Sequence, residues 1–343
     1  MYWFSSYSIS KSLSQKIIAG CLFLIIFVSF FFPLDSEVNA SLPLPVTEPD
    51  TVNRIINSAS GLNHFFSRLA MLENRETDLV AVYHFGDSHV AAIALPNGVA
   101  EFLQLNFGFA GREAFKEAPT KPTRKTRRKK RASLFEITTP LPQYTIVENS
   151  VPPAFFFELD DFTLPPLEEK RGVRYYSYGY TGKSFNFFSK SEKILNHIKE
   201  VNADLVIVTL GTNDAYGPAY SEQQIKSEIG TIIGNIRKIN STCSILLITP
   251  PDSFVKRKTS NKNLPSVRNA IVESALKVNV ACWDFFSVMG GPGSMDRWVS
   301  EGLAGRDKIH LTSAGYVKQA ELLNYALMLE YQQFIKKYND AQN

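Results

Sequence analysis

Largely apolar runs of strand length recur along this chain, each running into a polar, often glycine-bearing loop and then into a stretch with helical periodicity. The first, Leu79 to Phe85, enters Gly86-Asp87-Ser88 without a polar break. Four more follow: 173–178 before Gly179–Ser184, 204–210 before Gly211–Asp214, 244–249 before Pro250-Pro251-Asp252, and 280–285 before an irregular stretch through Arg306. Helical spacing fills 94–106, 189–200, 221–239, 263–278 and 312–336, and one or two helices are expected within 51–75. Strand, polar loop and helix in alternation predict an α/β fold, a doubly wound parallel sheet of about five strands.

Two regions break the alternation. Residues 112–172 combine eight prolines with short apolar pieces and read as an insertion after the first strand–helix unit. The alternating pattern thus divides into 51–111 and 173–337. At the amino end, Ile17–Leu34 is an apolar run preceded by Lys11 and Lys16 and followed by Asp35 and Glu37. That asymmetry orients the rest of the chain out of the cytoplasm, so residues 1–40 read as a signal sequence or an inner-membrane anchor, with 41–50 as a linker. The expected location is extracytoplasmic, in the periplasm or tethered to the cytoplasmic membrane.

Charge changes the picture only locally. The formal charge is +4, but residues 121–131 alone carry eight lysines and arginines; without them the chain stands at −4. A basic loop, 119–131, holds the excess, so the fold is not a nucleic-acid binder. Cys243 and Cys282 open two predicted strands; a disulfide and a pair of buried thiols both fit, and metal-ligand spacing is absent.

Parallel strands bring the loops at their carboxyl ends to one edge, where α/β folds bind ligands. Ser88 stands there as a candidate nucleophile, although Gly-Asp-Ser is also ordinary turn chemistry. Asp307 precedes His310 by three positions, close enough to fix the tautomer that takes a proton from a serine; an Asp before a helix is equally ordinary capping. Donors for a developing oxyanion are available at the same edge: the Ser88 and Gly182 backbone N–H groups and the Asn213 side-chain amide. Asp87 and Asp214 suit loop support. His89 suits packing or site lining, and Trp298 suits a pocket wall or the core.

Gly86-Asp87-Ser88, Gly182, Gly211-Thr212-Asn213-Asp214 and Asp307-Lys308-Ile309-His310 together resemble the four sequence blocks of the SGNH (GDSL-type) hydrolase family. The resemblance implies a three-layer, flavodoxin-like α/β/α fold and ester hydrolysis by Ser88, His310 and Asp307, without metal or cofactor. It assigns the oxyanion hole to Ser88, Gly182 and Asn213. His89 departs from the usual leucine. Gly-Asp-Ser-His, the segment Met289–Met295, Trp298 and Gly302-Leu303-Ala304 resemble the bacterial peptidoglycan and polysaccharide O-acetylesterase branch. The expected substrate is therefore an acylated cell-envelope glycan. Transfer of the acyl group to a sugar, a lipase or thioesterase activity, and a non-catalytic glycan-binding role are the alternatives.

Overall fold

The computed structural model describes residues 52–116, 171–216 and 221–340, all within one unit, Asp50–Asn343. The apolar run 17–34, the linker 41–50 and the basic loop 119–131 lie outside the described residues. No helix among the described residues is long and apolar enough to cross a membrane.

In chain order the central sheet is built from β1 (Ile55–Ile56), β2 (Leu79–Gly86), β3 (Phe109–Lys116), β4 (Gly172–Gly179), β5 (Leu205–Thr209), β6 (Ser244–Ile248) and β7 (Ala281–Trp283). The main helices are α1 (Asn63–Glu73), α2 (Ala94–Phe107), α3 (Glu192–Val201), α4 (Glu222–Ile239), α5 (Leu264–Lys277) and α6 (Ser313–Asp340). The sheet order is β1-β7-β6-β5-β2-β4-β3. All pairs are parallel except β1 with β7.

Seven strands stand where five were expected. The five expected strands are β2, β4, β5, β6 and β7. The two additions lie at the sheet's edges, where the pairing partner and not the strand's own pattern decides the conformation. β1 has two residues, too few to show alternation. β3 carries Arg112, Glu113 and Lys116 and shifts register between Phe109 and Arg112. It extends the sheet into what the pattern had assigned to the insertion. The predicted helix at 189–200 is also divided, into a short turn Phe185–Ser189 and α3.

β2 is paired on both sides and is buried along almost its whole length, which is why it reads as a continuous apolar run. Its side chains alternate between two cores. Val80 and Val82 face one, with Val173, Tyr175, Leu205 and Ile207, covered by α1, α2 and α6. Tyr83 and Phe85 face the other, with Tyr178, Val206 and Val208, covered by α3, α4 and α5. These two cores and the sheet between them are the three layers. Cys243 and Cys282 are buried free thiols, held protonated by desolvation.

The chain visits β3 and β4 on one side of β2 and then crosses to β5, β6 and β7 on the other. β2 therefore ends at the point where the winding reverses, where the loops diverge and leave a crevice.

Candidate active site

Directly after β2 comes Asp87, whose N–H donates to Thr209 O on β5 at 3.2 Å. A single helical turn, Ser88–Ala91, follows. Asp87 caps it by accepting from the His89 N–H at 2.9 Å, so the Ser88 N–H, the first of the turn, is left without an intrahelical acceptor. The turn rests on the end of β4: a Cβ on Gly179 would stand 2.2 Å from the Ala91 backbone. Only glycine lets the two segments approach this closely.

After β4, the Tyr180 N–H donates to Gly86 O at 2.9 Å and the Lys183 N–H to Tyr180 O at 3.3 Å. Gly182 sits inside that turn at φ +77°, exposed, with open space where a side chain would be. After β5, Asn213 ties the loops together. Its amide donates to Lys183 O at 2.9 Å and, weakly, to the Asp87 carboxylate at 3.4 Å. Asp214 accepts from the Phe185 N–H at 3.2 Å. The sequence did not reveal that the Asn213 amide would be engaged within the protein.

Asp307 and His310 lie on a tight loop closed by the Ala304–Leu311 bridge, with Gly305 N–H donating to His310 O at 2.7 Å and Lys308 at φ +57°. Asp307 Oδ1 accepts from the Ile309 and His310 N–H groups at 3.0 and 3.1 Å. Its Oδ2 meets His310 Nδ1 at 2.8 Å. Partial burial raises the Asp307 pKa, but these hydrogen bonds, led by that from the His310 ring, outweigh burial and hold it below the usual carboxylate range. With Nδ1–H given to the carboxylate, Nε2 is the acceptor, and it lies 2.9 Å from Ser88 Oγ. A hydroxyl, an imidazole and a carboxylate so linked can move a proton off the serine and stabilise the imidazolium that results.

His89 is buried beside this chain. Its Nδ1 meets the Tyr316 hydroxyl at 3.0 Å and its ring centroid lies 5.4 Å from that of His310. Desolvation, with the neighbouring His310 adding to it, pushes the His89 pKa down to about 3, so it stays neutral. Tyr316, from the first turn of α6, carries no local sequence signal for this contact. Trp298 is buried in the core and donates to Met289 O at 3.2 Å. Its carbonyl accepts from the Leu303 and Ala304 N–H groups, steadying the approach to Asp307. Met295 is wholly buried beside it in the same core.

Burial also raises Asp87 and Asp214 to about 7, and their mutual repulsion adds to the Asp87 shift. An aspartate whose pKa rises on folding stabilises most while protonated, so the Asp214 contribution is complete below its ordinary value of 3.8 and lost as pH climbs to about 7. The buried neutral His84 and His89 act oppositely, their contribution being lost as pH falls below 6.5. A difference measurement separates the two. The melting temperature of Asp214→Asn, taken minus that of wild type, is expected to increase steadily from pH 4 to pH 7.5. Asn keeps the acceptor for Phe185 N–H and cannot ionise. A flat difference across that range would show that Asp214 is ionised throughout.

No cluster of three or more His, Cys, Asp or Glu side chains among the described residues is disposed to hold a metal ion.

The mostly parallel sheet, flanked by helices and carrying these groups at its switch point, has the three-layer α/β/α architecture. Residues 166–318 match the GDSL-like lipase/acylhydrolase family, which supports a carboxylic ester hydrolase. The match contains Gly182, Asn213, Asp307 and His310; Ser88 precedes it. Among solved structures, a peptidoglycan O-acetylesterase is 16% identical, with a TM-score of 0.62 over 82% of this chain and 99% of that one. At this identity the likeness shows the fold. The acetyl xylan esterase AlAXEase is 15% identical (TM-score 0.40; 72% of this chain, 99% of that). A carbohydrate esterase family 3 protein from Talaromyces cellulolyticus is 14% identical (TM-score 0.43; 74% and 99%). No curated protein matches the sequence.

Proposed function

We propose that this esterase removes O-linked acetyl groups from a cell-envelope polysaccharide such as peptidoglycan, with Ser88 as nucleophile, His310 as general base and acid, and Asp307 as the group that orients His310. The observation that carries the reading is the continuous Ser88–His310–Asp307 hydrogen-bonded chain, 2.9 and 2.8 Å long at its two links. Ser88 Oγ attacks the ester carbonyl carbon as its proton passes to His310 Nε2. The tetrahedral intermediate then expels the sugar oxygen, which takes that proton, leaving acetyl-Ser88. Water attacks the acetyl carbon, His310 again accepts the proton, and acetate departs as Ser88 regains it.

The developing oxyanion falls to the Ser88 and Gly182 N–H groups and the Asn213 amide. Of the two Asn213 bonds, the 3.4 Å contact to Asp87 is the weaker and the one most easily exchanged for substrate. The glycan reading is supported by the motif resemblance, the outward orientation implied by residues 11–37, and a fold shared with a peptidoglycan O-acetylesterase.

Acetate release from O-acetylated peptidoglycan and from acetylated xylan, beside hydrolysis of long-chain p-nitrophenyl esters, tests the assignment. Acetate should appear from the envelope polymer, with acetyl esters preferred over long chains. Preference for long-chain esters with no acetate from either glycan would overturn it in favour of a lipase.

A further inference from the structure

Between β6 and α5 the chain makes a small hairpin, Phe254–Val255 paired with Thr259–Ser260. Its tip is Lys256-Arg257-Lys258, three exposed cations in succession. The Lys258 N–H donates to Val255 O at 3.1 Å, and the two residues between have φ of +51° (Lys256) and +63° (Arg257). Positive φ at both central positions is the signature of a type I′ turn, which Asn-Gly builds with least strain. Here the left-handed positions hold long cationic side chains, whose β-carbons crowd the following carbonyl. Strain of this kind persists where the surroundings hold it, and it gathers at functional sites.

The hairpin is braced against the candidate active site. The Phe254 N–H donates to Lys308 O at 2.9 Å, one residue from Asp307. The Tyr216 hydroxyl, from the loop that bears Asn213, donates to Phe254 O at 2.8 Å. Lys308 is committed locally, with its ammonium 2.5 Å from Asp296 and over the Phe254 ring. Lys256, Arg257, Lys258 and the exposed Arg306, by contrast, form no ion pair among the described residues. The base of the hairpin is thus fixed to the loops that carry Asn213 and Asp307, and among the described residues the cations at its tip and on the Asp307 loop have no acidic partner.

We infer that the Lys256-Arg257-Lys258 tip, with Arg306, is a subsite for the carboxylates of an anionic acetylated glycan, and that it selects such polymers over neutral ones. The inference rests on the polysaccharide-esterase reading above and adds the charge of the substrate to it. Lysine and arginine at this rim attract a polyanion before any acetyl group reaches Ser88, and salt screens that attraction over about 10 Å at 0.1 M.

The variant Lys256→Asn/Arg257→Gly restores the preferred turn sequence while removing two cations, so it should fold at least as well as wild type. Its melting temperature should rise by roughly 2–6 °C. The readout is the ratio of kcat/KM for an O-acetylated glycan bearing free carboxylates to that for acetylated xylan oligomers made neutral by removal of uronic acid. That ratio should fall about tenfold in the variant, through KM, and the wild-type ratio should approach the variant's as NaCl is raised to 1 M. A ratio equal in variant and wild type at low salt would overturn the inference and leave the esterase reading standing. Wild-type enzyme that hydrolyses p-nitrophenyl acetate but neither glycan would sink the polysaccharide reading and this inference together.

Discussion

Ser88→Ala should lower kcat for p-nitrophenyl acetate by at least about 10⁴-fold while leaving the thermal melt within about 0.5 kcal/mol of wild type. The size follows from what is removed. Without Oγ no acyl intermediate forms, and only the oxyanion donors and binding remain to assist direct attack by water. The near-neutral stability follows from how little the hydroxyl touches, since among the described residues its one hydrogen-bond partner is His310 Nε2 and the imidazole is held from behind by Asp307. A burst of p-nitrophenol from wild type, absent in the variant, would identify the acyl-enzyme directly. Activity within tenfold of wild type would remove Ser88 from the chemistry and with it the proposed mechanism.

Asp307→Asn is expected to cost about 10³- to 10⁴-fold in kcat, with the fold again intact. Oδ1 is pinned by two backbone N–H groups. An asparagine carbonyl can serve them equally well, which leaves its NH₂ facing His310 Nδ1. The imidazole must then accept at Nδ1 and carry its proton on Nε2, the wrong tautomer for taking a proton from Ser88. Asp307→Ala provides the contrast. It removes the loop clamp as well, so it should lose about 1–2 kcal/mol of stability in addition to activity. Equal melting temperatures for the two variants would show that the backbone bonds to Oδ1 contribute nothing to the loop.

The legible parts of this protein are those governed by burial. β2, β4, β5 and β6 are flanked by strands on both sides, so their runs stay apolar on both faces and point straight at Ser88, the Gly182 turn, Asn213 and the Pro250–Asp252 loop. The edges were opaque for the opposite reason. β3 is paired on one side alone, and its polar side chains find partners elsewhere: Arg112 reaches Gln104 at 2.6 Å, and Glu113 accepts from the Tyr178 hydroxyl. A strand whose polar residues are satisfied by tertiary contacts shows no clean alternation. The candidate triad was legible because its members flank predicted elements with recognisable spacing. The contact of His89 with Tyr316, and the lock between Asn213 and Lys183, join residues with no local relation. The hairpin at 254–260 was hidden because Lys-Arg stands where turn chemistry favours Asn-Gly.

The hydrogen bond between Ser88 and His310 joins residues 222 positions apart in sequence. The loop that carries His310, with Trp298 behind Asp307, and the Tyr316 that meets His89 come from residues 298–316. A ribosome-bound chain therefore holds its serine long before it holds this base, and a fragment ending ahead of residue 307 has neither the His310 imidazole nor the Asp307 carboxylate to offer. On the proposed mechanism, esterase activity is thus a reporter of folding through residue 310. On that mechanism the nascent chain carries no complete Ser88–His310–Asp307 relay until residues 307–310 have docked against Ser88.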